Sequence, residues 1–145
     1  MPAWVQQGYG EYAKRLPAAC GLQLREITAG RRGKNAPIER IMQDETSRLL
    51  AAVPKGAHVV ALEVNGRPWS TAQLAERLER WLAAGPDVAL LVGGPDGMTT
   101  DACDRAQELW SLSPLTLPHP LVRIVVAEQL YRAWSLLNNH PYHRA

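Results

Sequence analysis

Four short stretches carry the residue types that could do chemistry. Gly93 to Gly97, "GGPDG", follows an apolar run, and a glycine pair there lets a backbone approach a ligand closely while Pro95 fixes a turn. "WSLSPLTLPHPLVR" (Trp110 to Arg123) is apolar but carries Pro114, Pro118 and Pro120, so it can be neither a helix interior nor a central strand. "GRRGKN" sets Arg31, Arg32 and Lys34 between and beside two glycines, and the terminal "HPYHRA" adds His140, Tyr142, His143 and Arg144. Two readings are open for the cationic stretches: solvated loops, or contacts to phosphate.

Other chemistries are not supported. The glycine pair is not the GxGxxG fingerprint of a dinucleotide fold and has no GK[ST] of a P-loop. GxSxG, HExxH and a cysteine spaced to a histidine are all missing. Cys103, in "TTDACDRAQ", reads as a helix-face thiol, and Cys20 and Cys103 together show no metal spacing. No metal is expected, and two structural thiols suit a reducing cytosol.

The elements that must position these stretches can be traced by periodicity. A helical stripe runs over residues 4–16, with Trp4, Val5, Tyr9, Tyr12 and Leu16, and stops before Pro17. Leu22 to Thr28 alternates like a strand. Pro37 opens a helix with Ile38, Ile41, Met42, Leu49 and Leu50 on one face. His58 to Val64 reads as a buried strand, Ser70 and Gln73 as a capping box, and Gly85 with Pro86 as a helix stop. Val88 to Val92 is a further strand; a helix over 100–107, a strand over 109–112 and a helix over 120–138 complete the chain. Helix and strand alternate throughout, which specifies an α/β domain with a largely parallel sheet.

On the last helix, Glu128, Arg132 and Ser135 form one narrow solvent-facing stripe and apolar residues cover most of the rest. Such a helix should bury against more than one surface, and a second subunit is one of them. Arg123 lies opposite the stripe, either reaching water or pointing into a site beside the proline-rich loop.

The 145 residues suit one domain that buries about two-thirds of the surface its unfolded chain exposes. Hydrophobic and charged fractions of 46% and 21% are ordinary for a globular protein, and a net charge of +2 does not by itself announce a nucleic-acid binder. No uncharged apolar run reaches membrane-spanning length and no signal peptide is visible, so no membrane partner is expected. In open α/β sheets ligands bind beyond the carboxyl ends of the strands. That edge gathers the residues after Leu62, the "GGPDG" loop and the loop opening at Leu112.

Taken together, "AGRRGKN", "GRPWST", "LLVGGPDG", "WSLSPLTLPHPLVRIVVAEQLYRAW" and "NHPYHRA" resemble the ribosomal RNA large subunit methyltransferase H family, of the SPOUT class. The resemblance spans essentially the whole chain. It implies an α/β domain over 1–145 with helices on both sheet faces and a C-terminal deep trefoil knot. It implies S-adenosylmethionine as cofactor and methylation of N3 of a pseudouridine in large-subunit ribosomal RNA, in the cytoplasm, by a homodimer. By position it assigns the methyl donor to Leu62, Gly93, Leu112, Ser113, Pro114, Leu115, Thr116 and Leu117. Candidates near the reacting base are Arg144, Tyr142 and His143 in the tail, with His119 and Arg123 beside the loop. Arg31, Arg32 and Lys34 would hold RNA phosphates on ribosomal RNA or the assembled ribosome.

One departure stands against the resemblance. Relatives begin with a strand and a short turn before the equivalent of "MPAWVQ", and a gene start upstream of Met1 is expected. A non-catalytic RNA-binding or ribosome-assembly factor retaining the fold is the alternative, and a flavodoxin-like domain for another nucleotide is a third; calorimetry with S-adenosylmethionine separates both from the enzyme.

Overall fold

The computed structural model describes residues 2–27 and 37–142. In order these form α1 (Ala3–Ala13), a 3-10 turn (Ala18–Cys20), α2 (Ile38–Ala51), β1 (His58–Pro68), α3 (Thr71–Ala84), β2 (Val88–Leu91), α4 (Thr100–Arg105), β3 (Glu108–Ser111) and α5 (His119–Leu137). The chain is α/β, and the three strands among the described residues are parallel in the order β2-β1-β3. The described residues fall into two compact units: a sheet unit within residues 25–68 and 86–119, and a helical unit within residues 1–24, 69–85 and 120–145.

In the sheet unit, Val59 and Ala61 point to one face of β1 by the two-residue period of a strand, and they join Leu91 and Ala102 in a core. Leu49, Leu50 and Val53 of α2 and its C-terminal turn pack on that core, as do Met98 and Ala106 around α4. Val60, on the opposite face, is fully buried as well. The burial of β1 is confined to its first half, since Val64 is exposed. At the amino edge Gln107 completes the ladder twice: its N–H donates to Val59 O (2.9 Å) and its Oε1 accepts from Val59 N (2.7 Å). Beside it His58 Nε2 and Glu108 Oε2 pair at 2.8 Å.

In the helical unit α3 begins on the reciprocal box of Ser70 and Gln73 and ends on Gly85, whose φ of 99° suits glycine. Its buried face is Leu74, Ala75 and Leu78. Gly8 of α1 lies against Ile124 of α5, and Thr71 Oγ1 of α3 donates to Gln129 Oε1 of α5 at 2.9 Å.

The structure corrects the sequence reading in four places. Leu22 to Thr28 was expected to be a strand, but the part described, residues 22–27, has no regular structure; alternation makes a strand only where a neighbour supplies a ladder. Pro37 stands at the N-cap of α2 and not inside its first turn. Ser135, expected in a solvent stripe, is fully buried and its hydroxyl donates to Tyr131 O at 2.8 Å. Trp4, expected on the apolar stripe of α1, is also exposed, whereas Val5 and Leu16 are buried.

Candidate methyl-donor loops and C-terminal tail

The carboxyl edge of the sheet unit brings three backbone segments together. Ala61 pairs with Leu91 and Leu62 with Trp110, so Leu62, the chain after Leu91 and the chain after Ser111 leave adjacent rows of one parallel sheet. β3 stops one residue earlier than expected, at Ser111, which makes Leu112 the first residue of the loop.

Residues 93–99 are folded tightly on themselves. Gly97 N donates to Gly94 O at 3.0 Å, and Gly97 has a φ of 85°. A Cβ on Gly93 would lie 2.9 Å from both Gly97 C and Met98 Cγ, so a side chain there has no room. From α2, the Glu45 carboxylate covers the open face of Gly94: Oε2 would stand 3.3 Å from an added Cβ. The neighbouring Thr46, itself buried, accepts the Thr99 N–H at 3.1 Å.

The loop of residues 112–117 is shaped by its own serines. Ser111 Oγ donates to Ser113 O at 3.1 Å, and Ser113 Oγ accepts the Leu115 N–H at 3.0 Å. With Pro114 between them the loop keeps its form without long-range partners, and Leu115 is left 70% exposed. The Thr99 hydroxyl is buried and has no hydrogen-bond partner among the described residues. The closely approached backbone of residues 93–98, the apolar Leu112, Leu115 and Leu117 and the unmet Thr99 hydroxyl suit a methyl donor of the kind the resemblance implies.

His119 is the last residue of the sheet unit and the first of α5; Arg123 follows one turn along, in the helical unit, and both are partly buried. Tyr142 also lies in the helical unit. Asn139, at φ 53°, turns the chain back after α5, and His140 N donates to Ser135 O at 2.8 Å. Tyr142 then lays its ring 4.6 Å from that of Tyr131 and donates its hydroxyl to Glu128 Oε1 at 3.0 Å. The same Glu128 oxygen takes Arg132 through Nε (2.8 Å) and Nη2 (2.6 Å), and the Arg132 guanidinium stands over the Tyr142 ring at 5.0 Å. Arg15, just beyond the C-cap of α1, faces both tyrosine rings. Burial, and then the hydrogen bond and charge of Glu128, push the Tyr142 hydroxyl up to about 12, so at neutral pH it is a donor.

The stripe read as solvent-facing is therefore the dock for the tail, a role that no local spacing signals. Glu45, Thr46 and Gln107 were likewise missed, because each acts on a backbone group distant in the chain. Arg31, Arg32, Lys34, His143 and Arg144 lie outside the described residues. Burial raises the Cys103 thiol, with Glu63 and Asp104 adding to it, which leaves little thiolate for nucleophilic work. Among the described residues no group of three or more His, Cys, Asp or Glu is placed to hold a metal.

Residues 1–143 match the family model described as "Predicted SPOUT methyltransferase". Over 145 residues the chain is 64% identical to the ribosomal RNA large subunit methyltransferase H of Methylococcus capsulatus, covering 99% of this chain and 93% of that protein. Proteins of the same name from Thioalkalivibrio sulfidiphilus and Hahella chejuensis are 61% and 59% identical over 145 residues, each covering 99% of this chain and 92% of the relative. The chain thus belongs to the SPOUT methyltransferase family, among the ribosomal RNA large subunit methyltransferase H proteins.

Proposed function

We propose that this protein transfers a methyl group from S-adenosylmethionine to N3 of a pseudouridine in large-subunit ribosomal RNA. The observation that carries the reading is the meeting of Leu62, the Gly93 loop and residues 112–117 at one carboxyl edge of a parallel sheet, in a chain of methyltransferase lineage. Leu62, Gly93, Leu112, Ser113, Pro114, Leu115, Thr116 and Leu117 would hold the donor, whose sulfonium supplies the methyl group. Ser111 and Ser113 set the loop in advance, so little backbone freedom is lost on binding. Positioning of the acceptor nitrogen should supply most of the rate.

The N3 proton must leave the base. In this reading Arg144 stabilises the developing negative charge, and His143, His119 and Arg123 are the other groups to test. Tyr142, protonated and held by Glu128, orients and donates. Arg31, Arg32 and Lys34 contact RNA phosphates, so their removal should flatten the salt dependence of binding. The whole chain is read as one domain with a knotted C-terminal part, working in the cytoplasm; no helix among the described residues is long and apolar enough to cross a membrane. Exposed Leu121 and Val125, one turn apart on α5, support a dimer through that helix.

The test is mass spectrometry of ribosomal RNA from cells lacking the gene. Loss of one methyl group from a large-subunit pseudouridine, restored by the wild-type gene, is the expected result; an unchanged modification profile would overturn the reading.

A further inference from the structure

Two adjacent residues of α2 reach both ends of the loop of residues 93–99. At its start, the Glu45 carboxylate lies against the open side of Gly94, with Oε2 3.3 Å from where a Cβ would stand. At its end, Thr46 Oγ1 takes the N–H of Thr99, the N-cap residue of α4, whose own side chain makes no capping hydrogen bond. Thr46 is 2% exposed, and a hydroxyl buried in a helix interior is costly unless it is used. Between these two points the loop folds on itself through the Gly94–Gly97 hydrogen bond. Its position on the sheet edge is thus set from α2.

We propose that Glu45 and Thr46 are positioning residues for the methyl donor, bracing the Gly93–Thr99 loop so that its backbone is already in place when the donor binds. The inference rests on the reading of that loop as part of the donor site. If Thr46 served only to pack α2 against α4, an isosteric apolar residue would serve equally well. As a brace, its hydroxyl is the functional part.

The experiment is calorimetric titration of S-adenosylmethionine and of its demethylated product, S-adenosylhomocysteine, into the full-length wild type, Thr46→Val, Thr46→Ser and Glu45→Gln, each well below its melting temperature. Thr46→Val keeps the volume but strands the Thr99 N–H, and both ligands should bind roughly three- to tenfold more weakly. Thr46→Ser should bring both affinities back to within about twofold of wild type. Glu45→Gln keeps the shape and removes the charge, and it should weaken both ligands by a common factor. Wild-type affinity in both Thr46→Val and Glu45→Gln would overturn the inference alone. So would a Glu45→Gln defect confined to the sulfonium ligand, since that marks direct contact with the charge and not bracing. Failure of the wild type to bind either ligand would overturn the proposed function and the inference with it.

Discussion

The sheet unit and the helical unit solve the same problem, holding a functional segment in place, by different means. At the irregularity between β1 and β3 of the sheet unit, backbone meets backbone. The register of β1 on β3 slips between Leu62 and Arg67, both of which pair with Trp110, and Gly66 lies in the slip with its α-carbon pressed on the Leu109 and Trp110 backbone. In the helical unit the contacts are made by the ends of side chains: Ile124 reaches over Gly8, Thr71 joins Gln129, and Tyr142 sits on Glu128 and Arg132. Backbone contacts leave nothing that can rotate away, whereas side-chain contacts can adjust. Rigid placement suits loops that must present amide and carbonyl groups. A tail that carries side-chain chemistry can rest on a set of charges.

The sharpest way to break this contrast is Gly66→Ala. Its Cβ would fall 2.7 Å from Leu109 C and O and 2.9 Å from Trp110 N, none of which can move without shifting β3. A loss of at least about 3 kcal/mol in urea unfolding, or no soluble protein, is expected; a loss below about 1 kcal/mol would show that the sheet edge yields as readily as the helices.

The next effect concerns the tail. Because the Tyr142 hydroxyl is raised from 10.0 to about 12, first by burial and then by Glu128, its proton is held more tightly in the folded protein. The stability so contributed is complete below the unfolded value near 10 and is lost as the pH climbs from there through about 12. Glu128→Gln should move the Tyr142 titration down toward the ordinary tyrosine value. Tyrosinate absorbance, taken as the difference from Tyr142→Phe, reads it directly; an unmoved titration would mean that the tail is not docked on Glu128.

The smallest effect is expected at Gly8→Ala. There the nearest atom is the far end of a flexible side chain, Ile124 Cδ1 at 2.7 Å, and alanine favours the helix by about 1 kcal/mol over glycine. A small adjustment of Ile124 should leave the net change in stability within about 0.5 kcal/mol by thermal denaturation. A cost approaching that of Gly66→Ala would erase the distinction between the units.

Much of the architecture was legible because its signals are local. Ser70 and Gln73 announce a helix start through bonds that span three residues, and Gly85 and Pro86 end that helix. Pro114 and Pro118 exclude helix and sheet from residues 112–118 and so mark a stiff loop, and Pro120 stands in the first turn of α5, where proline is accepted. That the segments following Leu91 and Ser111 leave the sheet at the same edge follows from the parallel direction of the strands. Leu22 to Thr28 failed for the complementary reason: its alternation is local, but a ladder is not.

The sequence by itself determined the alternation of helices and strands, the stiffness of residues 112–117, and membership in a methyltransferase family through five ordered motifs. Only the tertiary structure decided that Glu128 and Arg132 receive Tyr142, that Ser135 is buried, and that Glu45 lies over Gly94. The physical reason is range. Caps, prolines and periodicity act over a few residues and leave their mark in the string itself. A carboxylate's partner is chosen by the path of the chain between them, which is 13 residues from Glu128 before Tyr142 is reached and 48 from Glu45 before Gly94 is reached.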